Sequence, residues 1–260
     1  MREAVIVSAA RTPIGKAYRG AFNNLESPSM ASVAVKAAVD RSGIDPKEVD
    51  DCIMGAAIQQ GTQGFNLGRQ VAMASGLPVS VAGMTIDRQC SSGLMTIATG
   101  AKHIINDNAP ITIAGGCESI SLVQNEHMNS HRIGDPLTIK NAPMIHMPML
   151  DTAETVAKRY NISREAQDEY AVASQDRTAD AQVRGAFDDE IVPVTAIKMI
   201  MNKETGEVTK EEVTLTKDEG NRPGTTIENL ANLKPVRNDG TITAGNASQL
   251  SDGAAAVVMM

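Results

Sequence analysis

The sequence predicts an α/β fold in which helices and strands form packed layers, on two observations. Apolar runs of strand length alternate with segments of helical period over residues 4–118, and this β-α-β order favours a layered α/β core. Hydrophobic residues make up 42% of the chain, whereas aromatic residues make up 2% and Trp is absent. The interior must therefore consist of closely packed small aliphatic side chains and Met. With 260 residues the chain can form one large domain or two modest ones.

The elements of the first part follow from apolar periodicity and from Gly and Pro as breakers. In chain order we expect a strand at 4–10, a loop at 11–16, a helix from about 29 to 43, a strand at 50–58, a flexible loop at 59–64, a helix at 67–75 closed by Gly76, a strand at 81–86, a helix after Cys90 through 105, and a strand at 111–114 broken by Gly115-Gly116.

The second part begins with a stretch, 120–150, that has no sustained period and holds three of the four His. Long aperiodic stretches are usually functional or leave the core. Helices are expected at 151–160 and 163–186, with Ser163 as a cap and Gly185 near the end. A strand is expected at 191–198 and a buried one at 254–260. Because the sequence stops inside an apolar run, we expect the polypeptide to be part of a longer one.

Composition excludes several function classes. The net charge is -7 and no basic cluster is present, which argues against a nucleic-acid partner. No apolar run is long enough to span a bilayer, and the N-terminus lacks the pattern of a signal peptide. Cys52, Cys90 and Cys117 form no close pair and are odd in number, which indicates a reduced, cytoplasmic protein without disulfides or a zinc ribbon.

The stretch from Asp87 to Leu94 carries the strongest chemical signal. It places Cys90 between the strand at 81–86 and an apolar helical face formed by Leu94, Ile97, Ala98, Ala101, Ile104 and Ile105. The N-terminus of a helix favours an anion, so a thiol there has a lowered pKa and forms the reactive thiolate more readily. Most free cysteines, however, are small buried hydrophobes, and geometry alone leaves both interpretations open.

No histidine is a convincing base for this thiol. His103 is on the same helix, roughly 20 Å along the axis from Cys90. His127 and His131 have a ligand spacing, but no third ligand follows, so a metal site is disfavoured against two polar loop residues. His146 lies beside Met147 and could face a pocket. Cys52 and Cys117 are expected in the core, and Gly15, Gly61 and Gly64 do not form a phosphate loop.

The segment Asp87-Arg88-Gln89-Cys90-Ser91-Ser92-Gly93 resembles the active-site segment of the thiolases, the acetyl-CoA acyltransferases. Other segments resemble the same family in the same order, which is more specific than one motif alone. They are Ser8–Gly15, Ala114–Ser119, Thr152–Glu154, Asp188–Pro193, Thr243–Ser248 and Ser251–Ala255. The resemblance covers the whole chain but only the N-terminal part of a thiolase.

The resemblance implies a layered α-β-α thiolase-type core with a long inserted loop domain. Residues 1–118 together with 250–260 would form the core, and 119–249 the insert, which binds coenzyme A and assists assembly. Cys90 would be acylated, with acyl groups passing between its thiol and that of coenzyme A. Such an enzyme cleaves a 3-oxoacyl-CoA with CoA, or condenses acyl-CoA units, as in fatty acid metabolism.

The resemblance also assigns binding positions. Coenzyme A would contact Arg222, Leu233, Ala244, Gly245 and Ser248, and Met149 would line the acyl pocket. The resemblance implies a homo-oligomer, and it implies neither a metal ion nor a permanently bound cofactor. Two positions depart from many relatives: Asn229 replaces a Ser, and Asp87 replaces an Asn, which would oppose thiol ionisation unless Arg88 pairs with it.

A thiolase's C-terminal half supplies the histidine base, an Asn-held water, a second cysteine and part of the oxyanion holes, and none of these segments occurs here. The resemblance therefore implies that these 260 residues turn over little substrate alone and expose an apolar face meant for the missing domain, leading to self-association. Two alternatives remain: a non-catalytic coenzyme A-binding or assembly module, and a ketosynthase-like condensing enzyme. The segments at 152–154 and 244–248 favour a thiolase over the latter.

Overall fold

The structure is a computed structural model that describes residues 2–260. The chain forms two compact units. The first contains residues up to 128, 187–220 and 250–260, and the second contains 129–186 and 221–249. The division expected from sequence, with 119–249 as one inserted domain, stays a prediction; within that range, 187–220 packs with the first unit.

The helices and strands are numbered in chain order. The strands are β1 Ile6–Arg11, β2 Gly15–Lys16, β3 Val49–Gly55, β4 Ala82–Ile86, β5 Ile111–Ser119, β6 Val194–Met201, β7 Val208–Leu215 and β8 Ser251–Met259. The helices are α1 Ser27–Ser42, α2 Leu67–Ala74, α3 Ser92–Asn106, α4 Ile120–Val123, α5 Pro136–Asn141, α6 Met149–Arg159, α7 Arg164–Val183 and α8 Ile227–Ala231, with short 3-10 turns at Pro46–Glu48 and Gly61–Gln63.

The main sheet has the order β1-β8-β5-β3-β4, and β2 also pairs with β8. Strands β3, β4 and β5 are parallel, as the β-α-β alternation predicts, whereas β8 is antiparallel to both of its neighbours. The expected break at Gly115-Gly116 is wrong, because β5 continues through both glycines to Ser119. A Cβ at Gly115 would lie 2.3 Å from the carbonyl oxygen of Ala255, so this glycine permits close strand pairing.

The core of the first unit is built from small aliphatic side chains, as the composition predicts. Helix α1 buries Ala31, Ala34, Val35 and Ala38, and it ends where Gly43 adopts a left-handed conformation with φ 70°. Helix α2 packs beside it with Leu67 and Val71 buried. Phe22 is a fully buried aromatic residue in the same cluster.

Helix α3 packs on the sheet through a face that only partly overlaps the predicted one. The buried positions are Ser92, Thr96, Gly100 and Ile104, a row at spacing of four. A Cβ at Gly100 would lie 2.9 Å from Oγ1 of Thr112 on β5, so only a small residue fits there. Of the predicted apolar face, Ile104 is buried and Ile97 and Ala101 pack against its cluster, whereas Leu94 is 72% exposed.

Three further differences concern elements with weak local signals. Strand β7 pairs with β6 as a two-stranded antiparallel sheet and was not predicted, because Val208–Leu215 is rich in Lys, Glu and Thr. The aperiodic stretch 120–150 contains the short helices α4 and α5. The loop at 59–64 is not loose, since Gln63 is buried at 1% exposure and hydrogen-bonds to Ser27, Ile58, Glu118 and Ser119.

In the second unit the predicted helices are confirmed. Ser163 caps α7 by accepting a hydrogen bond from the backbone N–H of Ala166, and Gly185 has φ 69° just after the helix ends. The first helix of the pair, α6, begins two residues before its predicted start. The turn at 244–248, expected from its small residues, lies between α8 and the final strand.

Candidate active site

Cys90 lies in a tight turn that joins β4 to α3, two residues before the helix begins, and it is exposed. Gln89 adopts a left-handed conformation with φ 50°, which is uncommon outside Gly. The backbone N–H of Gln89 donates to Oδ1 of Asp87 at 2.7 Å, and that of Arg88 donates to Oγ of Ser92 at 2.9 Å. The predicted strand-to-helix junction is thus confirmed, and hydrogen bonds fix its turn.

The start of α3 lies unusually close to the sheet. A Cβ on Gly55, the last residue of β3, would lie 2.6 Å from the backbone carbon of Ser92. The hydroxyl of Thr96 lies 2.9 Å from the carbonyl oxygen of Gly115, to which it donates. This close packing and the hydrogen bond fix the distance between the first turn of α3 and the sheet. They thereby also fix the position of the loop that contains Cys90.

The other two cysteines are buried, as predicted. Burial, with a smaller effect of the charge on Asp51, raises the pKa of the Cys52 thiol to about 12. Burial likewise raises the pKa of the Cys117 thiol, whose Sγ lies 3.6 Å from the carbonyl oxygen of Ser27. Neither thiol is suited to nucleophilic chemistry, which leaves Cys90 as the accessible sulfur of the three.

The histidines do not supply a base next to this turn. His103 lies in the last turn of α3, where its Nδ1 is 4.0 Å from Oδ2 of Asp51. His127 and His131 lie in a non-helical segment and are exposed, and His146 is exposed as well. Over residues 2–260, no group of three or more His, Cys, Asp or Glu side chains is placed to hold a metal ion.

The charge expected to compensate Asp87 is not found in a direct ion pair. Among the described residues no Arg or Lys nitrogen lies within 4.0 Å of its carboxylate, Arg88 included. Its carboxylate instead accepts the amide of Gln89. The carboxylate of Asp87 therefore stabilises the turn that contains Cys90.

The second unit contains a cavity of about 280 Å³ that is lined by residues of α7, of α8 and of the loops on either side of α8. Four of the five residues that the sequence assigned to coenzyme A line it, namely Arg222, Leu233, Ala244 and Gly245. The remaining lining residues are Gln175, Pro223, Gly224, Thr225, Asn229, Leu230, Ala247 and Gln249. The cavity thus brings together Arg222 and Ala244, which are 22 positions apart in the sequence.

Glycine and arginine shape this cavity. A Cβ at Gly245 would lie 2.4 Å from Leu230 and 2.6 Å from Leu233, so the glycine lets both leucine side chains pack closely against its turn. Arg222 is exposed at its rim. Within the described part of the chain, no carboxylate oxygen lies within 4.0 Å of its guanidinium group. The rim is thereby able to attract an anion.

Glu154, from the predicted Thr-Ala-Glu segment, holds the loop that follows α8. Its carboxylate accepts hydrogen bonds from the backbone N–H groups of Thr241 and Ile242 at 2.8 Å each and from the hydroxyl of Thr241. Burial opposes ionisation of Glu154, but these hydrogen bonds outweigh it and lower the pKa of the carboxyl group. The segment therefore fixes the approach to the turn at 243–247.

Two predicted binding residues lie outside the lining of this cavity. Ser248 is exposed and stands between two lining residues, Ala247 and Gln249. Met149 is the first residue of α6 and is 74% exposed. Sequence reasoning missed Gln175 and Leu230, which come from α7 and α8 and carry no local signal for a site.

Comparison with known proteins decides the family. The family model described as "Thiolase, N-terminal domain" matches residues 4–260. The chain belongs to the thiolase family. In this thiolase chain Cys90 lies in the turn between β4 and α3.

Relatives of this thiolase chain are longer than it is. It is 43% identical to the 3-ketoacyl-CoA thiolase of Bacillus subtilis and 40% identical to the acetyl-CoA acetyltransferase of Cupriavidus necator, covering 100% of this chain and 66% of each relative. It is also similar to the crystal structure of the Bacillus anthracis acetyl-CoA acetyltransferase, with a TM-score of 0.85 and 39% identity over 100% of this chain and 66% of that one. The thiolase-type core expected from sequence is therefore confirmed, and the chain spans the N-terminal part of these proteins.

Proposed function

We propose that this chain is the acyl-accepting part of an acyl-CoA acyltransferase, in which Cys90 forms an acyl-thioester. The observation that carries the proposal is the exposed Cys90 at a rigid strand-to-helix turn in a chain of the thiolase family. Relatives named 3-ketoacyl-CoA thiolase and acetyl-CoA acetyltransferase support this chemistry. An exposed thiol beside a helix N-terminus is suited to nucleophilic attack on a carbonyl carbon.

In the degradative direction, Sγ of Cys90 attacks the 3-oxo carbon of a 3-oxoacyl-CoA. The bond between carbons 2 and 3 breaks, and the electron pair leaves with carbon 2, which takes a proton to become acetyl-CoA. The thiol of free CoA then attacks the Cys90 thioester, releasing the shortened acyl-CoA and the cysteine thiol. Condensation runs the same steps in reverse.

The proton transfers need a base and an acid, which we place outside these 260 residues. His103 lies 11 residues after Ser92 in α3, roughly 17 Å along the helix axis from the Cys90 turn. Since the relatives extend beyond the part that this chain covers, their C-terminal part is the proposed source of these groups. The isolated chain is then expected to bind substrate without turning it over.

The cavity of the second unit is the proposed coenzyme A site. The Arg222 guanidinium is suited to a phosphate, while Leu233, Ala244 and Gly245 offer an apolar, low-profile surface. Ser248 borders this surface and is proposed as a further contact, and Met149 is proposed to line the acyl pocket. Asn229 lines the cavity and keeps a polar group where many relatives have Ser.

The setting of the protein is also a proposal. We place it in a reducing compartment such as the cytoplasm, because all three cysteines are free and two are buried; some relatives are peroxisomal. No helix among the described residues is long and apolar enough to cross a membrane. The exposed apolar residues of α3, Leu94 among them, support assembly with a further domain or subunit.

Activity and binding assays on the purified chain test these proposals. Incubation with acetoacetyl-CoA and CoA should give little or no thiolysis, and brisk thiolysis would refute the argument that the base is missing. Calorimetry should detect CoA binding that Arg222→Gln weakens about tenfold, the loss of one charge-assisted contact. Arg177→Gln is the matched control, because Arg177 is exposed on α7 and does not line the cavity. Absence of CoA binding by the unaltered chain would refute the cavity assignment.

The same assays separate a catalytic part from a binding module. If Cys90 is an acyl acceptor, prolonged incubation with acetyl-CoA should leave one acetyl group on a peptide containing Cys90, detected by mass spectrometry. Cys90→Ser should bind CoA equally well and lose this label, because a serine hydroxyl is a much weaker nucleophile without a base. CoA binding without any label on Cys90 would favour the non-catalytic module.

A further inference from the structure

Helix α7 carries three polar side chains on one face. At about 100° per residue, Asp168 and Gln175 lie within roughly 40° of Arg164 around the helix axis. Each of the three is half-buried or buried, although the helix as a whole is rich in charged and polar residues. Polar side chains that leave solvent usually have specific partners, and here each of the three has a partner in a segment that lines the cavity.

Arg164 reaches the wall formed by α8 and the residues that follow it. Its Nη2 donates to the carbonyl oxygens of Leu230 at 2.6 Å and Leu233 at 3.2 Å. Both leucines line the cavity. Arg164 therefore satisfies the carbonyl groups at the C-terminal end of α8 and fixes its distance from α7.

Asp168 connects this wall to the next one. It is 2% exposed, and its Oδ2 accepts a hydrogen bond of 2.7 Å from Nε of Arg164. Its Oδ1 accepts one of 2.9 Å from Nδ2 of Asn246, in the turn that includes the lining residues Ala244 and Gly245. Asn246 also donates to the carbonyl oxygen of Thr241 and accepts the amide of Thr243.

Gln175 holds the third wall, which contains Arg222. Its Oε1 accepts hydrogen bonds from the backbone N–H of Arg222 at 2.8 Å and from Nδ2 of Asn221 at 3.0 Å. The backbone carbonyl of Gln175 accepts a second bond from Asn221 at 2.8 Å. This wall does not depend on Asp168 or Arg164.

We propose that Arg164, Asp168 and Gln175 are positioning residues that set the separation of the three cavity walls, with Asp168 as the shared link between the α8 wall and the 243–247 turn. The inference rests on the proposed function of the cavity as the coenzyme A site. None of the three residues needs to act as an acid, base or nucleophile. Gln175 borders the cavity, whereas Arg164 and Asp168 act through the backbone that they hold.

CoA binding to the 260-residue chain tests the inference. Asp168→Asn removes the charge that pairs with Arg164 and places an NH2 group opposite one of the two donors, so the CoA dissociation constant should rise about tenfold. Asp176→Asn removes the same charge from an exposed position on the same helix and should leave the constant unchanged. If the unaltered chain does not bind CoA, the proposed function fails; if it binds and Asp168→Asn binds equally well, this inference alone fails.

Hydrogen exchange distinguishes positioning from general destabilisation. In ligand-free Asp168→Asn, amides at 228–234 and 241–248 should exchange faster, while those at 222–225 should be unchanged because Gln175 still holds them. Gln175→Ala should show the opposite pattern. Uniform acceleration across the second unit in both variants would overturn the proposal, since it would indicate only lost stability.

Discussion

The close approach of α3 to β3 predicts that Gly55→Ala displaces the turn that presents Cys90. The new Cβ would lie 2.6 Å from the backbone carbon of Ser92 and 2.7 Å from the backbone nitrogen of Gly93. A contact with backbone atoms cannot be relieved by rotating a side chain. Ordinary contacts begin near 3.4 Å, so the first turn of α3 must move away by several tenths of an ångström.

The expected cost is that of overpacking a close-packed interior, about 1–3 kcal/mol in the free energy of unfolding. Because the strained contact involves the backbone of α3, we expect the upper part of this range. The hydrogen bond from Thr96 to the carbonyl of Gly115, at 2.9 Å, must lengthen as the helix moves. Because the same hydroxyl also donates to the carbonyl oxygen of Gly93 at 2.7 Å, this change adds less than the about 1 kcal/mol of a full hydrogen bond.

Gly93→Ala supplies the matched control. It adds the same methyl group to the first turn of the same helix, but its nearest neighbour, the Cα of Gly116, would be 4.0 Å away. Urea unfolding should therefore show a lower midpoint for Gly55→Ala and little change, or a gain, for Gly93→Ala. The rate of Cys90 alkylation by iodoacetamide should change only in Gly55→Ala. Equal midpoints for the two variants would refute the packing argument.

Three further outcomes are expected. In the folded protein iodoacetamide should modify Cys90 well before Cys52 or Cys117, whose pKa values are raised by burial, and equal labelling by mass spectrometry would contradict the site assignment. Burial raises the pKa of Asp51 in the folded protein. The protonated carboxyl group therefore contributes its full share to the free energy of unfolding below the unfolded pKa of about 3.9, and this share is lost as the pH rises through the folded pKa. The urea midpoint of Asp51→Asn should therefore exceed that of the wild type at about pH 7 but not at about pH 4. A difference in midpoint that does not change with pH would exclude this linkage. Leu94→Lys should reduce self-association in analytical ultracentrifugation, because Leu94 belongs to the exposed apolar residues of α3; unchanged sedimentation would place the contact surface elsewhere.

The local signals of this sequence located most elements of the fold. Gly43 and Gly76 adopt the left-handed conformations that end or follow helices, and Ser163 caps α7, so each boundary depended on residues next to it. The junction at Cys90 followed in the same way from an apolar strand and a helical period on either side. These features need no knowledge of distant residues.

Features that depend on distant residues were not predictable from the pattern. The buried face of α3 is decided by the glycines of neighbouring strands, since Gly55 and Gly116 leave room for helix backbone but none for large side chains. The apolar residues Leu94 and Ile105 therefore face outward, against the expectation from periodicity. The link from Asp168 to Asn246 joins positions 78 apart and has no local signature.

The place of β8 between β1 and β5 has a consequence for biosynthesis. Ile6 is paired with Met259, so the ladder partner of β1 is made only after residues 12–250 have been added. At 5–20 residues per second, a ribosome needs roughly 10–50 s to add the intervening residues. Throughout that interval β1 lacks the strand with which it pairs, and chaperones that bind extended apolar segments are expected to occupy it until β8 has been made.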